Sequence, residues 1–253
     1  MIKKYAFLYL VFSIASSFAQ LVNVESRRMQ TDSILFALKN DFSLSYNNNN
    51  GQTIYNISNQ LATQKKSKDF KKIYFLLGNY NIIKSGSKNF VNSWLLHFRF
   101  NYKLSEKLQL ESFVQSQQNK LLDISNRNLV GIGMRYHMIS KNAIQLFVAN
   151  AYMYEIEKSD LFQETFYNHR NSSYLTLSAL LPRNNVTITN TIYYQPLYKD
   201  ITNYRILEQL KVSVPISKKF HISGALNYYF TSATPTQKHQ YTSNIRIGFG
   251  IEI

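Results

Sequence analysis

Tyr167-Asn168-His169-Arg170-Asn171-Ser172-Ser173 is the stretch of this chain nearest in residue type to hydrolytic machinery. An imidazole beside a serine hydroxyl can take its proton and turn the oxygen into a nucleophile. In an extended strand the two groups must be two residues apart, because alternate side chains share a face. Asn171 fills that position. Ser172 falls on the opposite face, and Ser173 lies too far along the strand for direct proton transfer. No catalytic residue is therefore expected. The histidines His97, His137, His169, His221 and His239 show no metal spacing such as His-x-x-x-His, and the chain has no cysteine. Neither a metal centre, a cofactor nor a disulfide is expected.

A second group of chemically capable residues is ionic. Arg99, Glu111, Arg127, Arg135, Glu155, Arg170, Arg205, Lys211, Arg246 and Glu252 all occupy polar positions in segments that alternate polar and apolar. If those positions face an enclosed interior, the charges should pair across it, since a buried ion without a partner is strongly unfavourable. A surplus of base would instead lower the barrier for negative solutes. The site candidates are thus lumen-lining charges.

The elements that would hold them are strands. Phe90, Trp94, Leu96, Phe98, Phe100, Tyr102 and Leu104 are all even-numbered, with Ser93, His97, Arg99, Asn101 and Lys103 between them. A helix would bring residues three and four apart together, whereas here the period is two. The same pattern recurs, for instance in Val130, Ile132, Met134, Tyr136 and Met138 against Arg127, Gly131, Gly133, Arg135 and His137. Thr187, Thr189 and Thr191 oppose Val186, Ile188 and Ile192, and Arg205, Gln209 and Lys211 oppose Tyr204, Ile206 and Leu210. Before Phe90 the pattern thins, and the faces of Ile73 to Ile83 cannot be assigned. About twelve strands are expected, within a range of ten to fourteen.

Strands of roughly 10 to 15 residues exceed the usual five or six of soluble sheets and suit a tilted membrane crossing. Tyr 19 and Phe 17 against Gly 8 and Pro 4 fit strands whose alternate residues meet lipid, and the mean hydropathy of −0.27 fits a polar second face. In lipid, unpaired backbone groups are too costly to leave at an edge. The expected fold is all-β, a closed antiparallel transmembrane β-barrel. Trp94, Tyr102, Tyr136, Tyr152, Tyr154, Tyr194 and Tyr228 suit interfacial girdles.

The chain ends agree with a secreted barrel. Lys3 and Lys4, an apolar run from Tyr5 to Ala15, and Ser17-Phe18-Ala19 form a secretory signal expected to span 1–19. Residues 20–33 are expected to form a periplasmic N-terminal segment, and 34–253 the barrel. At the other end Arg246, Gly248, Ile251 and Ile253 resemble the C-terminal signal read by bacterial barrel-assembly machinery. That family of signals usually ends in an aromatic. Short candidate turns at Ser105–Lys107, Ser140–Asn142, Pro182–Asn185 and Pro215–Lys219 would share the periplasmic end with the basic stretch Thr63–Lys72. Longer connections, Glu157–Tyr167 and Ser232–Gln240, would lie outside.

Ordered landmarks run along the whole mature chain. They are Val22-Asn-Val-Glu25-Ser-Arg27-Arg28 with Asp32, Gly131-Ile-Gly133-Met-Arg-Tyr136, Arg170-Asn-Ser172-Ser-Tyr174, Pro196-Leu-Tyr-Lys-Asp200 with Tyr204-Arg205, and Tyr229 with Thr234-Pro235 before Gly248-Phe-Gly250. In this order they resemble the family known as domain of unknown function 481, which implies an outer-membrane barrel and no established activity.

A formal charge of +15 could serve nucleic acid, but a secreted chain without a nucleic-acid motif points to anionic partners instead. Outer-membrane lipids, lipopolysaccharide and small anionic solutes are expected, with the assembly machinery during insertion. The expected function is non-enzymatic: a narrow pore for small anions or an envelope-integrity barrel that engages lipopolysaccharide. The alternatives are a lipid hydrolase using His169, of phospholipase or lipid A deacylase type, and an accessory barrel of a larger envelope complex.

Overall fold

The computed structural model describes residues 34–252 except 50–51, 86–90, 120–123, 142, 160–162, 184 and 233–239. The expected signal, N-terminal segment and Ile253 lie outside the described residues. Twelve strands follow one another: β1 (Phe36–Asn49), β2 (Gln52–Lys66), β3 (Lys72–Ser85), β4 (Val91–Lys103), β5 (Leu108–Asn119), β6 (Ile124–Lys141), β7 (Ile144–Lys158), β8 (Thr165–Leu181), β9 (Val186–Leu197), β10 (Asp200–Pro215), β11 (Phe220–Thr231) and β12 (Gln240–Glu252). Each pairs antiparallel with its sequence neighbours, and β12 returns to β1 to close the barrel. Lys39–Leu44 meets Ile247–Glu252 at that seam, where the Phe42 and Phe249 rings lie 5.6 Å apart. Closure pairs the edge strands that hydrocarbon would otherwise leave unsatisfied.

Alternation sorts the side chains as the period of two requires. Leu96, Ile132, Met134, Ile245 and Ile247 are exposed on the outer wall, while Asn101, Glu155, Thr176 and Thr191 are wholly buried inside. Outward rings form a row at one end: Tyr154 against His169, Tyr152 against Tyr198, and Tyr194, Tyr204 and Phe230 in succession, with centroids 5.0 to 6.0 Å apart. The opposite end holds both ends of the barrel chain and the connections of β2 to β3, β4 to β5, β6 to β7, β8 to β9 and β10 to β11, the basic one at 67–71 included, while β9 and β10 are joined at the aromatic end by only two residues.

On β3 the faces were unreadable because both are apolar. Tyr74, Leu76 and Tyr80 point outward, whereas Ile73, Phe75, Leu77 and Ile83 are buried inside. Phe75 and Leu77 pack against Ala37 of β1, Ala62 of β2 and Leu95 of β4, so small residues on β1 and β2 accept the bulk that β3 supplies. Gly131 and Gly133 serve the same purpose on β6. A Cβ on Gly131 would fall 2.2 Å from the Phe113 ring, and one on Gly133 would fall 2.3 Å from the Asn150 carbonyl oxygen. At Gly133 the obstacle is backbone, whereas at Gly131 a side chain would have to displace the Phe113 ring.

Candidate functional site

The interior of one half of the barrel is organised around Glu155. On β6 and β7 the register places Arg127 opposite Glu157 and Leu129 opposite Glu155, and on β8 Asn168 lies opposite Glu155. Arg127 and Arg170 therefore approach the carboxylate from both neighbouring strands. Arg127 donates to Oε2 from Nε at 2.9 Å and from Nη2 at 2.5 Å, and Arg170 donates from Nε to Oε1 at 2.8 Å. Arg205, two strands further round the wall, donates through Nη1 to both Glu155 oxygens at 3.2 and 3.1 Å. Its Nη2 reaches Glu157 at 3.2 and 3.0 Å. Arg170 also donates to the carbonyls of Gln195 and Asn203, both at 3.2 Å. Three guanidinium groups thus face two carboxylates, which leaves the cluster net positive.

Glu111 organises a second cluster that crosses the interior. Arg99 Nη1 lies 3.6 Å from its Oε2, the Tyr174 hydroxyl donates to Oε2 at 2.8 Å, and Asn101 donates to Oε1 at 2.5 Å. Tyr174 projects from β8, whereas Arg99 and Glu111 belong to β4 and β5. This contact spans the interior between strands three apart in the barrel. A cavity of about 60 Å³ separates the two clusters, with His97, Arg99, Arg127, Ser172, Tyr193 and Gln195 among its lining residues.

Nearer the chain ends, Asp41 receives Lys211 Nζ at 3.2 Å and lies 2.7 Å from His221 Nε2. Lys39 donates to Glu252 at 2.8 Å. The Arg135 guanidinium carbon stands 3.6 Å above the centre of the Phe147 ring. Arg246 is buried and reaches Ser58 Oγ at 3.5 Å. Nine of the ten ionic residues singled out from the sequence are buried inside, while Glu252, at the barrel end, has a partly exposed side chain. Asp41, Lys39 and Glu157 escaped that reading. Asp41 and Lys39 sit on a weakly alternating first strand, and Glu157, expected in the Glu157–Tyr167 connection, belongs to β7, which runs on to Lys158. Parity alone, extended one turn of the pattern, would have found all three.

His169 faces outward, its Nδ1 hydrogen-bonded to the Tyr152 hydroxyl. Ser172 lies inside, where its hydroxyl accepts from Gln195 at 3.1 Å. Ser173 shares the outer face, but its hydroxyl donates to Asn171 at 2.6 Å and accepts from Asn150 at 2.8 Å. The geometry brings neither serine to the imidazole. Among the described residues no cluster of His, Asp or Glu could hold a metal. At the last strand Arg246 and Gly248 face inward and Ile251 outward.

A closed antiparallel barrel with an apolar outer belt and an ionic interior is the architecture of outer-membrane channels and porins. The chain belongs to the family described as protein of unknown function DUF481, whose model matches residues 41–253. Among solved structures it is similar to the COG4313 outer membrane channel from Pseudomonas putida F1, with a TM-score of 0.55 and 7% identity over 92% of this chain and 99% of that one. The NanC porin is similar with a TM-score of 0.53 and 7% identity, over 85% of this chain and all of the other. At such identity the likeness is one of fold. No curated protein matches the chain.

Proposed function

We propose that the protein is a narrow outer-membrane channel that favours small anionic solutes. The observation that carries this reading is the Glu155 cluster, where Arg127, Arg170 and Arg205 outweigh Glu155 and Glu157 inside the barrel. A fixed surplus of positive charge in a low-dielectric wall attracts anions and repels cations. The fold it shares with a porin and an outer-membrane channel supports conduction as its use. Small unitary currents with a reversal potential displaced toward that of chloride in a salt gradient are expected in planar bilayers. Cation selectivity would sink the reading.

A second reading rests on the Arg99–Glu111–Tyr174 bridge, which ties β4 and β5 to β8 through the interior. It is an envelope-integrity barrel without through-flow, its basic surface engaging lipopolysaccharide. Retained lipopolysaccharide binding with no measurable current would favour it. In either case Arg246, Gly248, Ile251 and Ile253 would serve recognition by the assembly machinery, to be tested by the folding yield of a chain lacking Ile251–Ile253.

A further inference from the structure

Arg246 differs from the other arginines that hold the barrel's interior together. Arg127, Arg170 and Arg205 each meet Glu155, and Arg99 meets Glu111. The Arg246 side chain instead reaches from β12 across β1 to Ser58 on β2, and its Nη2 has no hydrogen-bond partner although the residue is only 7% exposed. Gln60, 3% exposed, stands on the same side with neither amide atom bonded. Both line one pocket of about 10 Å³, together with the hydroxyl-bearing Ser43, Ser58 and Ser223. Gly248 makes the reach possible, since a Cβ there would lie 2.5 Å from the Phe42 carbonyl oxygen and 2.7 Å from Ser43 Cβ. Asp41 also borders the pocket, but its oxygens are turned to Lys211 and His221.

Buried polar groups in folded proteins are almost always satisfied, and a buried cation without a counter-charge is more costly still. A water molecule could accept the free guanidinium hydrogens but could not neutralise the charge. We infer that Arg246, Gln60 and the hydroxyls of Ser43, Ser58 and Ser223 hold one monatomic monovalent anion of the chloride class. The pocket is about the size of a single water, which admits a halide and excludes carboxylates, phosphate and sulfate. Donors surround it on several sides: the Nη2 and the amide nitrogen as fixed N–H groups, the hydroxyls as rotors that turn their hydrogens inward. The site requires water in the interior, as the channel reading does, but not through-flow, so the two can fail separately.

The test uses the full mature barrel folded in detergent micelles. Its thermal unfolding midpoint is followed by the gel shift between folded and boiled forms, in sodium chloride and in sodium gluconate at equal ionic strength. Chloride should raise the midpoint by several degrees and saturate, bromide should act alike, and gluconate should not. Arg246→Gln should abolish the difference. Gln60→Leu keeps the guanidinium and should move the half-saturating chloride concentration upward several-fold, which covers the case in which Arg246→Gln does not fold. Equal midpoints of the wild type in chloride and gluconate overturn the proposal, as does an unchanged chloride response in either variant. A chloride response without current in bilayers keeps the site and removes the channel.

Discussion

Arg205 of β10 and Glu155 of β7 face each other across the barrel interior, Nη1 lying 3.2 and 3.1 Å from the two carboxylate oxygens. The two residues are fifty positions apart in sequence, and neither strand pairs with the other. Their contact is tertiary, and it holds the wall of β7–β10 to a fixed curvature. Replacing Glu155 with Gln would leave Arg127, Arg170 and Arg205 with Glu157 alone. A loss of about 3–5 kcal/mol is expected, because breaking a buried ion cluster strands its remaining charges. Urea unfolding in micelles measures it. Pairing Glu155→Gln with Arg205→Gln should recover part of the loss, and strict additivity of the two would contradict the coupling.

The Tyr174 hydroxyl supplies one hydrogen bond to Glu111, and its ring packs inside against Ala149 and Tyr193. Tyr174→Phe should cost about 1 kcal/mol, the usual worth of a buried hydrogen bond, with little change in current. Tyr174→Ala removes the bridge between walls and should raise unitary conductance several-fold. Unchanged conductance would place the constriction elsewhere.

Two glycine substitutions should separate cleanly. Gly133→Ala drives a Cβ into the backbone of Asn150 and Ala151 and should destabilise the barrel by about 1–3 kcal/mol. Gly224→Ala meets nothing within 4 Å and should be neutral or mildly stabilising. The order of the two unfolding midpoints is the readout.

Ile247 is 66% exposed on the outer wall, next to the inward Arg246. If that wall lies in hydrocarbon, Ile247→Lys should cost about 2–4 kcal/mol near the bilayer midplane and much less toward an interface. Folding titrations into lipid vesicles give the value. A substitution tolerated as on a soluble surface would mean that the belt does not meet lipid.

Asp69, in the hairpin between β2 and β3, accepts from the Ser67 hydroxyl and the Lys71 amide, which hold its carboxyl below the usual range. A carboxyl with a depressed folded value contributes stability that is present above its unfolded pKa and fades as pH falls through the folded one. Protection of the amides in residues 67–71 relative to intrinsic exchange should therefore fall below about pH 4 and be flat near neutrality. Asp69→Asn should remove that acid step. Because the carboxyl is fully exposed, the effect stays local to the turn.

What could be read in the sequence was parity. Residues such as Arg99, Arg127 and Arg246 fall on one side of a period-two pattern, and a pleated strand must send that side one way and its neighbours the other. Strand number, closure and the inward direction of the charges follow from that pattern together with the cost of unpaired backbone in lipid. β3 escaped because apolar residues occupy both of its faces, and the pattern carries no information where both faces read alike. Which charge meets which was a different matter. Glu155 is bound by Arg205 because a closed wall curves β10 back toward β7, and Tyr174 reaches Glu111 across the interior for the same reason. Arg246 lies buried with no carboxylate in ion-pair contact among the described residues, because Gly248 and Ser43 clear a path toward Ser58 and Asp41 is turned to Lys211 and His221. Those distances arise from register and curvature summed around twelve strands, and no local stretch of sequence encodes the sum.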